Sequence, residues 1–148
     1  MKKSIVILLA FAMISSFAAC GKKDDKNKEY QIIYDNLAGS YCDSYSGRAT
    51  MDLTSTEGGV QALVSWASSA SEHDAWEFTL TAGEGDTFNY SNGVHMRITT
   101  LSEDKDETEV LAENEKGFMR LNGKGDLLWN GAPDEDCRDC VFEKIEIQ

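Results

Sequence analysis

Apolar and polar residues trade places one by one along most of this chain. Ala49, Met51 and Leu53 alternate with Thr50, Asp52 and Thr54, and Val60, Ala62, Val64 and Trp66 alternate with Gln61, Leu63 and Ser65. Trp76, Phe78, Leu80 and Ala82 alternate with Glu77, Thr79 and Thr81; Phe88 and Tyr90 follow, then Val94, Met96 and Ile98. Val110, Phe118, Leu121, Leu127, Trp129, Val141, Ile145 and Ile147 continue less regularly. A period of two sends successive side chains to opposite faces of a strand, so such a chain settles only as sheet with one buried face.

Turn chemistry divides the runs. Ser46-Gly47, Glu57-Gly58-Gly59, Gly83-Glu84-Gly85-Asp86 and Asn122-Gly123-Lys124-Gly125-Asp126 are the clearest breaks. Ser91-Asn92-Gly93 carries the Asn-Gly of a tight hairpin turn, and Asp104-Lys105-Asp106 marks a charged tip. The chain has a single proline, Pro133. Eight to ten short strands joined mostly by tight turns predict an all-β antiparallel meander. A sheet of this size hides its apolar face by closing into an up-and-down barrel or by folding into a sandwich, and sequential hairpins favour the barrel. Residues 30–148 suit one such domain. Tyr30, Ile33, Tyr34 and Leu37 fall on one side of a helical turn or two that could cap a barrel end.

The N-terminus has a different character. Lys2 and Lys3 precede an apolar run from Ile5 to Phe17, which ends at Ala18-Ala19-Cys20 and then meets Gly21-Lys22-Lys23-Asp24-Asp25. The run is shorter than the roughly 20 apolar residues that span a bilayer, and its layout is that of a secretory signal. The small-small-Cys ending resembles the bacterial lipobox, with Phe17 where a branched aliphatic residue is usual. That resemblance implies cleavage after residue 19 and a diacylglycerol thioether on Cys20. It also implies a lipid-anchored, extracytoplasmic location in the cell envelope. Residues 20–29 are wholly polar after the cysteine, which predicts a flexible tether.

The charge is concentrated in the domain. The whole chain carries −12, but signal and tether hold six lysines and three acids. The domain keeps eight basic and 23 acidic residues, a net of −15. Such a surface repels nucleic acid and anionic headgroups and favours a cation or a basic partner.

Besides Cys20 the chain has Cys42, Cys137 and Cys140. The two-residue spacing of the last pair also occurs in redox and zinc sites. Here Asp134, Glu135, Asp136 and Asp139 surround it, and neighbouring carboxylates disfavour a thiolate. Only His73 and His95 could complete a zinc site that wants four ligands. The expectation is a structural bridge from Cys42 to Cys137 or Cys140. Two acidic clusters are weak calcium candidates, one around Asp104 and Asp106 and one around Asp134 and Asp136; neither has the spacing of a calcium loop. His73 and Asp74 lie downstream of Ser65, Ser68, Ser69 and Ser71, but no nucleophile-elbow glycines surround a serine. No phosphate-cradling or dinucleotide motif is present, and no cofactor and no enzymatic activity are expected.

Leu37-Ala38-Gly39-Ser40-Tyr41 resembles the opening Gly-x-Trp motif of the calycin group (lipocalins, fatty-acid-binding proteins, avidins), with Tyr41 in the tryptophan's place. Cys140-Val141-Phe142-Glu143-Lys144-Ile145 resembles the last strand of small lipocalin-like domains. A wider likeness is to small lipoproteins of uncharacterised function from anaerobic bacteria. It rests on Ser69-Ala70-Ser71-Glu72 with Trp76-Glu77-Phe78-Thr79, on Tyr90-Ser91-Asn92-Gly93-Val94 and on Leu127-Leu128-Trp129. The calycin resemblance implies a closed barrel and room for a ligand cavity, but no binding residue is carried over from it; the alternation itself puts Trp66, Trp76, Trp129, Phe78 and Tyr90 on inward positions, where they would line a cavity for a small apolar ligand. The same rings could instead fill the barrel. The function expected is therefore a lipocalin-like module binding a small molecule. The alternative is a protein-interaction module, such as a lysozyme-inhibitor-like lipoprotein whose acidic surface grips a basic protein.

Overall fold

The computed structural model describes residues 21–131 and 140–146. The chain enters through a helix, α1 (Gly21–Leu37). Eight strands follow: β1 (Gly39–Asp43), β2 (Ala49–Thr56), β3 (Gly59–Ala67), β4 (Glu72–Ala82), β5 (Thr87–Ser102), β6 (Lys105–Leu121), β7 (Leu127–Trp129) and β8 (Cys140–Lys144). Each strand pairs with its sequence neighbours, and β8 returns to β1, so the sheet is a closed antiparallel barrel. This is the meander predicted from the alternation and the turns.

Two differences concern the ends of the elements. The stretch expected as a flexible tether is helical from Gly21 onward. No proline or glycine interrupts residues 22–37, and the last two turns are docked, so the helix propagates back from a fixed nucleus. Tyr34 and Leu37 are buried, as the predicted cap requires. The Tyr34 hydroxyl accepts a hydrogen bond from the Ala82 amide at 3.0 Å. Tyr41 donates to the Leu37 carbonyl at 2.7 Å, and Lys144 donates to the Asn36 carbonyl at 2.9 Å. Those bonds satisfy carbonyls that the helix end leaves without partners. We call this the lower rim of the barrel. The loops β1–β2, β3–β4 and β5–β6 lie at the opposite, upper rim.

The second difference is at Ser91-Asn92-Gly93. It is no hairpin turn but lies inside β5, where the register with β6 shifts between Tyr90 and Gly93. The Asn92 side chain takes the place of a ladder bond, accepting from the Thr79 amide at 3.1 Å. An odd residue in a strand flips the phase of everything beyond it. Phe88 and Tyr90 point into the barrel, and after the bulge His95 and Arg97 do so, while Val94, Met96 and Ile98 turn outward. Two further shifts in β6 place Leu111 and Asn114 as extra residues. Asn114 has φ 57°, a left-handed conformation that asparagine tolerates better than most residues.

The core is a closed set of inward side chains from all eight strands. Tyr41, Met51, Val60, Val64, Leu80, Met119, Leu127, Trp129 and Phe142 are almost wholly buried. Cys42 and Cys140 stand on opposite faces: Cys42 lies between the buried Tyr41 and Asp43, and Cys140 is itself buried. Cys42 aligns with Glu143 rather than with Cys140. Side chains on opposite faces of adjacent strands cannot meet the geometry of a disulfide. Cys42 and Cys140 are therefore not bridged to each other, and the Cys42 thiol is free among the described residues. Cys137 lies outside the described residues, as do the signal segment and Cys20.

Candidate functional site

Of the five rings that could either fill the barrel or line a cavity, Trp76, Phe78, Tyr90 and Trp129 touch one another. Phe78 and Tyr90 stack with centroids 4.1 Å apart, and Phe78 lies 6.1 Å from Trp129. Trp76 meets Trp129 edge-on at 5.4 Å, and Trp129 meets Phe142 edge-on at 6.3 Å. The Trp129 indole donates to the Tyr90 hydroxyl at 3.2 Å. Burial pushes the Tyr90 phenol up from its ordinary pKa; the indole bond opposes that and the charge of Glu115 adds to it. Tyr90 lies directly over Gly117, where a Cβ would fall onto the phenol. Trp66 closes the same interior at the upper rim and is buried. These five side chains are core.

What the structure leaves open is the upper half of one wall. β6 pairs with β7 only over Met119–Leu121. From Lys105 to Lys116 it pairs with β5 on one side and, among the described residues, with no strand on the other. Residues 101–111 of this hairpin are all exposed. The sheet is thus a complete ring around the lower half, and above it the β5–β6 hairpin continues a wall, joined through β4 to β3, whose β6 edge no described strand pairs.

The inner face of that wall is charged. Arg97 donates from Nε to Asp74 at 2.9 Å and from Nη2 to the second oxygen at 3.4 Å. Glu72 stands 3.7 Å from the same guanidinium. The hydrogen bond and charge of Asp74 push the Arg97 pKa further up. His95 stacks on Trp76 at 4.2 Å, and its Nε2 is buried without a hydrogen-bond partner, 3.6 Å from Asp74. Across the hairpin, Thr99 faces Glu107 and Arg97 faces Glu109. Since Asp74 and Glu72 already hold Arg97, the face offers no unpaired cation for an anion. It offers carboxylates.

Two constellations that the sequence raised without favouring are as follows in the structure. His73 aligns with Ala67 and Ile98 on the outer face, whereas Asp74 faces inward, so the two do not form a catalytic pair. Asp104 and Asp106 are exposed at the β5–β6 tip, and no group of three metal-ligating side chains occurs among the described residues. Asp134 and Asp136 lie outside the described residues. Sequence reading missed His95 and Arg97 because the bulge at Ser91–Gly93 put them on the inner side, Glu107 and Glu109 because further shifts in β6 follow it, and Glu72 because it lies at the start of β4, beyond the apolar run that begins at Trp76. The one available signal was charge at every second position: His95, Arg97, and then Glu107 and Glu109.

No family model, curated protein or solved structure matches this chain. Its own geometry therefore carries the functional reading.

Proposed function

We propose that this protein is a lipid-anchored module of the cell envelope that binds a protein partner through the free wall of its barrel. The observation that carries this is the upper half of β6, exposed, acidic and, among the described residues, unpaired on its far edge, beside an interior where rings stack on one another. A small-molecule carrier needs an empty interior, and natural proteins rarely leave a long strand edge unpaired and uncovered. The net charge of −12 favours a basic partner by steering and by complementarity. The likeness to barrel-shaped lysozyme inhibitors is one of architecture and charge only, so a lysozyme serves here as a basic probe.

The anchor reading rests on Lys2, Lys3, the apolar run and Ala18-Ala19-Cys20. Among the described residues no helix is long and apolar enough to cross a membrane. α1 follows Cys20 directly and joins the barrel at the lower rim, the end opposite the free wall.

The test titrates a lysozyme into the full chain by calorimetry, beside the triple variant Glu107→Gln, Glu109→Gln, Glu113→Gln. All three residues are exposed, so folding should be little changed. Salt-sensitive binding, weakened at least about tenfold in the variant, supports the reading. Equal binding by both chains sinks it, as does quenching of tryptophan emission by an apolar compound that displaces the protein.

A further inference from the structure

The free edge of β6 has two chemically different sides. Its longest run of unbroken register is Asp106–Val110, bounded by the shift near Ser102 and the extra residue Leu111. Within it Glu107 and Glu109 stand on the inner side, level with Thr99 and Arg97. Asp106, Thr108 and Val110 stand on the outer side, level with Thr100, Ile98 and Met96. Val110 is 53% exposed. Lys105 and Lys116 are the only cations from 105 to 116, and both lie outside this run.

An unpaired edge presents backbone donors and acceptors to any extended chain that can lie beside it. Side chains of that chain would alternate between the two faces. Those on the inner side would meet Glu107 and Glu109, and those on the outer side would meet Val110 and Thr108, with Asp106 at the end of the run. A second copy of this protein is a poor occupant, since it would set glutamates against glutamates across the ladder. We infer that the edge takes an extended segment of a partner in which basic residues alternate with apolar or β-branched ones, added as a further antiparallel or parallel strand. This rests on the reading of the wall as a protein-binding surface and names the chemistry that it selects.

The test uses the full chain and a labelled octapeptide, Lys-Thr-Lys-Val-Lys-Thr-Lys-Val, followed by fluorescence anisotropy. Two control peptides have equal charge. One groups its four lysines at one end; the other carries N-methyl groups on alternate backbone nitrogens on the side that would meet the edge. The alternating peptide should bind at least about tenfold more tightly than either control, because only it combines register with a full set of backbone donors. Equal affinity for all three overturns the inference, for then charge alone is recognised. No binding of any peptide overturns it as well. The proposed function is judged separately by the lysozyme titration, which can succeed while strand addition fails. Self-association of the full chain, seen by sedimentation and competed away by none of the peptides, with the Lys105–Val110 amides protected in the oligomer, would also overturn the inference.

Discussion

Asp43 closes the upper rim, and its replacement should show how. Its side chain is 4% exposed yet accepts five hydrogen bonds. Oδ1 takes the amides of Tyr45 at 2.8 Å and Ser46 at 2.9 Å. Oδ2 takes the Ser46 hydroxyl at 2.8 Å and the amides of Arg48 at 2.9 Å and Ala49 at 3.2 Å. Burial alone would raise its pKa, but these donors outweigh it and hold the carboxyl at about 2. In the unfolded chain the group returns to about 3.9. The difference of almost two pH units makes the ionised side chain worth on the order of 2 kcal/mol at neutral pH.

A depressed pKa gives stability that is complete above the unfolded value and is lost as pH falls through the folded one. About half of it should remain at pH 3 and little below pH 2. Asp43→Asn puts an amide nitrogen against N–H donors, so the loss at pH 7 should be about 2 kcal/mol or more. Urea unfolding of both chains at pH 7, 5 and 3 reads the difference between them, in which the general effect of net charge cancels. The gap should narrow by about 1 kcal/mol between pH 7 and pH 3. A gap that stays constant with pH, or one below about 0.5 kcal/mol at pH 7, refutes the reasoning.

Other substitutions probe the interior and the thiol. Trp129→Ala removes a fully buried indole from contact with Trp76, Phe78 and Phe142 and should cost about 3–5 kcal/mol in chemical denaturation. Gly117→Ala forces a methyl onto the Tyr90 phenol and should cost about 1–3 kcal/mol. Adding Tyr90→Phe should recover part of that loss, and strictly additive effects would show that the two do not touch. Cys42→Ser should change stability by less than about 0.5 kcal/mol, because this half-buried thiol is in no disulfide; a loss of several kcal/mol would mean that it forms a bridge after all.

The lower half of the barrel was legible because every local signal there agrees. Glu57-Gly58 is a two-residue turn joining strands whose alternation is unbroken, so β2, β3 and the first part of β4 pair in full register. Tyr34 and Leu37 were legible as a cap because their helical spacing puts both on one side. The upper half was not legible, for a physical reason: one inserted residue near Asn92 inverts the phase of β5. Only contact across the sheet, here Asn92 with Thr79, tells a bulge from a turn. The unpaired edge was invisible for another reason. The shortness of β7, three residues against seventeen in β6, is a property of pairing and not of composition. The acidic residues of β6 read as a solvated face, which they are; that this face borders an open ladder needed the register.

The account stands or falls on where a basic partner touches the chain. Hydrogen exchange of the full chain, alone and saturated with a lysozyme, locates that contact residue by residue. The account predicts slower exchange for amides from Lys105 to Val110, with little change at Trp66, Trp76 and Trp129. Protection confined to the aromatic interior or to α1, with the β6 edge unchanged, would contradict it.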